Sequence, residues 1–204
     1  MTGVHLFMAW LDTALLSSMI VLWFGSRFKL GSVYLRIGVA IVALGVFIPV
    51  HGLSLFMYVR AVIGDLSFTS KAFLFAWLLY RLDGPVITDM KEIRFVLSAT
   101  AIIGLLFYPL SLGLSSFDPY SIGYSARILI VWTFIAAAYG IRNGYYILAA
   151  AMVLALWGYL LGLMESNNLF DYLLDPLLFL YAAGFTCVTL LRNLKANNSA
   201  GRIS

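Results

Sequence analysis

What most limits the folds open to this chain is a succession of nearly uncharged apolar stretches, each close to the length of a bilayer crossing. A helix needs roughly 20 mostly apolar residues to cross the hydrocarbon core, because every backbone polar group must find its partner within its own segment. Residues 5–24, 37–57, 95–114, 128–141, 145–164 and 177–191 meet that demand or come near it, the short fourth with Arg127 reaching up to the headgroups. Residues 66–82 form a seventh candidate, with Lys71 near one end and the apolar run AFLFAWLLY behind it. Composition agrees with lipid as the solvent. The 204 residues are 63% hydrophobic and 11% charged, where an average soluble domain is about half apolar and about a quarter charged. That balance excludes a disordered chain, a collagen-like repeat, a disulfide-stapled secreted domain and a nucleic-acid module. The single cysteine, Cys187, has no internal partner for a disulfide.

Charge placement selects among the span counts. The 13 Lys+Arg exceed the 9 Asp+Glu, and basic residues concentrate in cytoplasmic loops. With seven spans, one side collects Arg27, Lys29, Arg36, Arg81, Lys91, Arg94, Arg142, Arg192, Lys195 and Arg202, and the other keeps Arg60, Lys71 and Arg127. Ten against three predicts an all-α polytopic transmembrane bundle of seven spans, with six as the alternative. The N-terminus is then outside and the C-terminus inside, and residues 192–204 form a short basic cytoplasmic tail. Residues 1–4 carry no basic flank and Asp12 interrupts the first apolar run, so this segment reads as a span and not as a cleaved signal peptide. The chain is expected to form one transmembrane domain, with no soluble module.

Small residues mark where helices would approach. Ala151, Ala155, Gly158 and Gly162 fall on one stripe of the sixth span, and Ala136–Ala138 with Gly140 lie on the fifth. A close antiparallel hairpin between these two spans is expected, with dimerisation through the stripe as the alternative. Trp10, Trp23, Tyr34, Tyr58, Tyr80, Tyr145 and Tyr146 near span ends read as an interfacial belt.

Ionisable groups inside a span are costly, and they are the natural candidates for function. Asp12 lies seven residues after His5 on the same helix face, either as part of a proton-linked site or paired with Arg60, Lys71 or Arg127. Pro49 and His51 sit near the middle of the second span, where proline is expected to kink the helix and leave a free carbonyl beside the imidazole. The connection over residues 60–71 holds Arg60, Asp65 and Lys71, with Asp65 placed to cap the next helix or the two cations to touch lipid phosphate. The remaining outer loops are acidic and aromatic: residues 115–126 carry Asp118, and residues 165–176 carry Glu165, Asp171 and Asp175. Residues 169–174 could form a brief interfacial helix, and Asp175–Pro176 reads as the cap and first residue of the last span. Two histidines and one cysteine in unrelated positions give no metal-ligand spacing, so no metal or cofactor is expected. No H-E-x-x-H, G-x-S-x-G or P-loop occurs, and the last span has no lysine for a retinal Schiff base.

The phrases IGDLS (residues 63–67), FDPYSIGY (117–124) and NLFDYLLDP (168–176) resemble those of small uncharacterised polytopic bacterial inner-membrane proteins. The resemblance implies a bacterial cytoplasmic membrane and brings no activity with it. The function expected from the whole is support or regulation of a membrane partner in envelope lipid or glycan metabolism, by a non-enzymatic protein. Its partners would be the bilayer and a membrane protein or a second copy of the chain, and not a nucleic acid. A small proton-coupled transporter using Asp12 and His51 is the alternative, and a lipid-headgroup enzyme the third reading.

Overall fold

The computed structural model describes residues 3–84 and 89–200, with side chains through Lys195. It is all-α apart from one minimal hairpin. In chain order the elements are α1 (Gly3–Arg27), α2 (Ser32–Gly45), β1 (Pro49–Val50), β2 (Leu53–Ser54), α3 (Leu55–Ile63), α4 (Phe68–Asp83), α5 (Met90–Pro109), α6 (Arg127–Asn143), α7 (Tyr146–Leu160), α8 (Leu169–Leu173) and α9 (Pro176–Ala200). Helix α5 runs on through a π-helical turn, Leu110–Leu114, and a 3-10 turn, Pro119–Tyr124, precedes α6. The residues 85–88 between α4 and α5, and residues 201–204 including Arg202, lie outside the described residues. The basic tail expected from residue 192 is the continuation of α9 as far as Ala200.

Neighbouring helices run α2, α1, α4, α7, α6 as a row, and the α5–α9 pair packs beside it. The core is local and thin. One cluster joins Met8, Phe68, Ala155, Met164, Leu169 and Tyr172; a second joins Leu97 and Ala101 of α5 to Leu178 and Ala182 of α9. Outward faces are apolar: Ile102, Ile103, Leu105, Leu106, Trp132, Phe134, Trp157 and Leu180 are all exposed. A fold of this kind turns its hydrophobic surface outward, the reverse of a soluble domain. Three helices, Gly3–Arg27, Met90–Leu114 and Pro176–Lys195, are long and apolar enough to cross a bilayer.

Two expectations about elements need correction. The second apolar stretch is not a kinked helix. Helix α2 stops at Gly45, and β1 pairs with β2 in antiparallel register, Val50 opposite Leu53. His51 and Gly52, the two residues of the turn, both take positive φ, +49° and +86°. A two-residue loop with both positions left-handed matches the strand twist, and glycine makes its share cheap. Pro49 therefore begins a strand, and His51 stands exposed at a hairpin tip instead of inside a helix. The small-residue stripe also faces a different neighbour. Ala151, Ala155 and Gly158 are buried towards α4, where a Cβ on Gly158 would run into the Phe68 ring. Gly162 lies past the end of α7 and is exposed.

The hairpin of α6 and α7 uses other residues. A Cβ on Gly140 would meet the Tyr145 carbonyl at 2.9 Å and the Ala149 nitrogen at 3.0 Å, so the two backbones are in near contact there. Gly144 at φ +73° ends α6, its amide bonding the Ile141 carbonyl and the Tyr145 amide bonding the Gly140 carbonyl. This is the paired closure that left-handed glycine makes at helix ends.

Candidate functional site

The two ends of the bundle differ in chemistry. At one end lie the start of α1, the hairpin, α3, the start of α4, the 3-10 turn, the start of α6, α8 and the start of α9. The opposite end holds Arg27, Lys29, Arg36, Arg81, Lys91, Arg94 and Arg142. Every candidate residue except the packing stripe belongs to the first, loop-rich end.

Its centre is the N-terminus of α4. Ser67 caps this helix, its hydroxyl accepting from the Ser70 amide at 3.1 Å. The two amides just upstream are taken by carboxylates from distant helices. The Leu66 amide donates to Asp12 of α1 at 3.0 Å, and the Ser67 amide donates to Asp175 at 2.9 Å. Negative groups are stabilised at this end of a helix by the exposed amides and the aligned peptide dipoles. Lys71 enters from the first turn of α4, placing Nζ 3.0 Å from Asp12 Oδ1, and it also donates to the Leu66 carbonyl. Asp12 and Lys71 are 4% and 5% exposed, so this is a buried ion pair. Lys71 is thus buried and committed to Asp12 and the Leu66 carbonyl, and not an exposed cation free to bind phosphate.

Around this pair runs a second network, mostly buried at Arg60 and Asp65 and exposed at Glu165. Arg60 grips Asp65 with two hydrogen bonds of 2.7 and 2.8 Å, and its Nη2 is 3.3 Å from Glu165. Asp65 is therefore the partner of Arg60 and not the cap of α4. The half-buried His5 ring contacts the Gly162 carbonyl at 3.2 Å and Glu165 at 3.8 Å. His5 and Asp12 share a helix face as expected, yet each has its own partners and no bond joins them.

The outer loops lock onto one another. Asp118 caps its own turn through the Tyr120 amide. Tyr120 donates to Asp171 at 2.9 Å, Ser166 donates to the same carboxylate, and Asn168 donates to the Tyr120 carbonyl. Burial, and then the bond to Asp171, push the Tyr120 hydroxyl above its ordinary pKa. Tyr172 is fully buried, stacked 5.9 Å from Phe68, with its hydroxyl bonded to backbone of Met164 and Ser166. Helix α8 is therefore pinned into the protein by Leu169 and Tyr172, where an interfacial helix was expected. Asp175 accepts from the Leu178 amide at 2.8 Å and the Ser70 hydroxyl as well as from Ser67, capping α9 and α4 together.

Glu165, Asp171 and Asp175 thus point to three separate sets of partners. No group of three or more His, Cys, Asp or Glu side chains lies close enough to hold a metal ion among the described residues. Of the three cations at this end, Arg127 alone makes no side-chain hydrogen bond or ion pair among the described residues. His51 and Asp12 are not brought together by any bond. The sequence did not single out Tyr172, Asn168, Ser67 or Tyr120, although Ser67 stands three residues before Ser70 in a run where a capping serine is a standard start signal.

Three helices long and apolar enough to cross a bilayer, together with the outward hydrophobic faces, support an all-α membrane protein as the class. No protein-family model, curated protein or solved structure matches the chain.

Proposed function

We propose that this protein is a multi-pass scaffold that supports or regulates a membrane partner, in a bacterial inner membrane and in the handling of envelope lipid or glycan. In this reading α1, α2 with its hairpin, α4, α5, α6, α7 and α9 make seven passes, the N-terminus outside and the C-terminus in the cytosol. The ten-to-three partition of basic residues among the sequence's alternate connections and tail supports that orientation. Carrying the functional reading is the state of the acids: all nine act as helix caps, as ion-pair partners or, for Asp171, as the acceptor that ties two loops together. A general acid or a nucleophile–base pair needs a group left available to substrate. Groups committed in this way build a rigid platform, and the exposed Phe117 and Tyr124 on it are suited to contact a protein.

Photo-cross-linking from Phe117 and Tyr124 in native membranes tests the reading. A single discrete heavier adduct is expected, the one from position 117 weakened by Y124A and the one from position 124 weakened by F117A, with the melting temperature unchanged. Absence of any adduct from either position removes the scaffold reading. Compartment reporters on the two ends should sit on opposite sides of the membrane; reporters on the same side overturn the seven-pass topology.

A further inference from the structure

On the outward side of the α6–α7 hairpin is a slot of about 260 Å³. Thr133 and Ala137 on α6, with Leu156 on α7, form its buried floor, and the exposed Phe134 and Trp157 stand as its walls. The floor is low because these α6 residues are small. It is also free of unpaired polar atoms, since the Thr133 hydroxyl donates back to the Leu129 carbonyl at 2.7 Å.

Its lining from Met152 to Leu160 covers about 12 Å of axis and is apolar apart from the internally bonded Thr133, which suits a hydrocarbon chain lying along the groove. Beyond the loop-rich end of the slot lies a cation. Arg127 precedes Phe134 by seven residues, two turns or about 10 Å along the same face of α6. Arg127 is exposed and unpaired among the described residues, unlike Arg60 and Lys71. Ala126, at the N-cap, supplies no side-chain acceptor, so the first-turn amides add to the positive potential there.

We infer that this slot holds one acyl chain of a phospholipid whose phosphodiester is bound by Arg127. The lipid would sit in the leaflet at the loop-rich end, its phosphate at the level where α6 begins and its chain running down between Phe134 and Trp157. A guanidinium forms paired, charge-assisted bonds to phosphate oxygens. The inference rests on the membrane reading proposed above.

The test is native mass spectrometry of the full chain released from vesicles of phosphatidylglycerol. The wild type should retain one lipid. R127Q should lower that retention about fivefold, the effect of one surface cation on an anionic lipid, while R127K keeps most of it. V153W, at an exposed rim position, should block the slot without touching the packed floor. Diacylglycerol, which has the chains but no phosphate, should be retained weakly and without regard to R127Q. Equal phosphatidylglycerol retention by wild type, R127Q and V153W overturns the inference. So does a V153C disulfide joining two copies in intact membranes, which would make the slot a helix-packing surface. Release of the protein from membranes by alkaline carbonate would defeat the membrane reading itself, whereas a protein that stays embedded and binds no lipid defeats this inference alone.

Discussion

Asp12 and Lys71 meet at 3.0 Å with almost no exposure, and each makes the other tolerable. Removing one partner of a buried pair strands a charge and typically costs about 3–5 kcal/mol, whereas replacing both with apolar groups of similar volume is often neutral. Asp12→Asn and Lys71→Met should each destabilise the protein strongly in a detergent-unfolding titration, and the double variant D12N/K71M, which keeps an acceptor for the Leu66 amide, should recover most of the loss. A double variant no better than either single one would refute the account. By contrast the exposed Arg36–Asp83 pair is worth about 0–1 kcal/mol, so Asp83→Asn should leave the same titration almost unchanged. Sequence alone puts Asp12 in a span and names Lys71 among its partners. It does not choose between Lys71, Arg60 and Arg127, because the choice depends on which loop folds back over α1.

At the scale of elements, helix ends decide the connections. Asp175 caps α4 and α9 at once, so Asp175→Ala should cost about two ordinary caps, roughly 2 kcal/mol in all, read as a lower thermal midpoint. Glu92, in the first turn of α5 and fully buried, accepts from the Leu148 amide at 2.8 Å and so caps α7 from another helix. Glu92→Ala should lose about 1 kcal/mol, with Glu92→Gln keeping an acceptor and most of the stability. Gly144→Ala places a Cβ at φ +73° and should lose about 1–2 kcal/mol, detected in the same melting experiment. Asp175–Pro176 is legible as a cap from the amino-acid order alone, because its signal is confined to adjacent residues. Glu92 is not, because the amide it bonds is fifty-six residues away. The hairpin at Pro49–Ser54 is hidden by its own composition: apolar residues continue across it, and hydropathy carries no information about φ at His51 and Gly52.

Across the whole molecule, the sequence by itself determined the helical class, the apolar character of the outward faces and the approximate boundaries of most helices. These depend on sums over segments of about twenty residues and on the demand that backbone groups be satisfied within their own segment. Only the tertiary structure decided that the 151–158 stripe faces α4, that α8 is pinned by Tyr172, and that nine carboxylates are divided among caps, ion pairs and a loop-to-loop bond rather than gathered into a site. Each of those outcomes is a contact between residues far apart in the chain, set by which side chains fill which gaps once the helices are adjacent. A linear pattern records what each segment needs; which neighbour supplies it is settled when the segments pack.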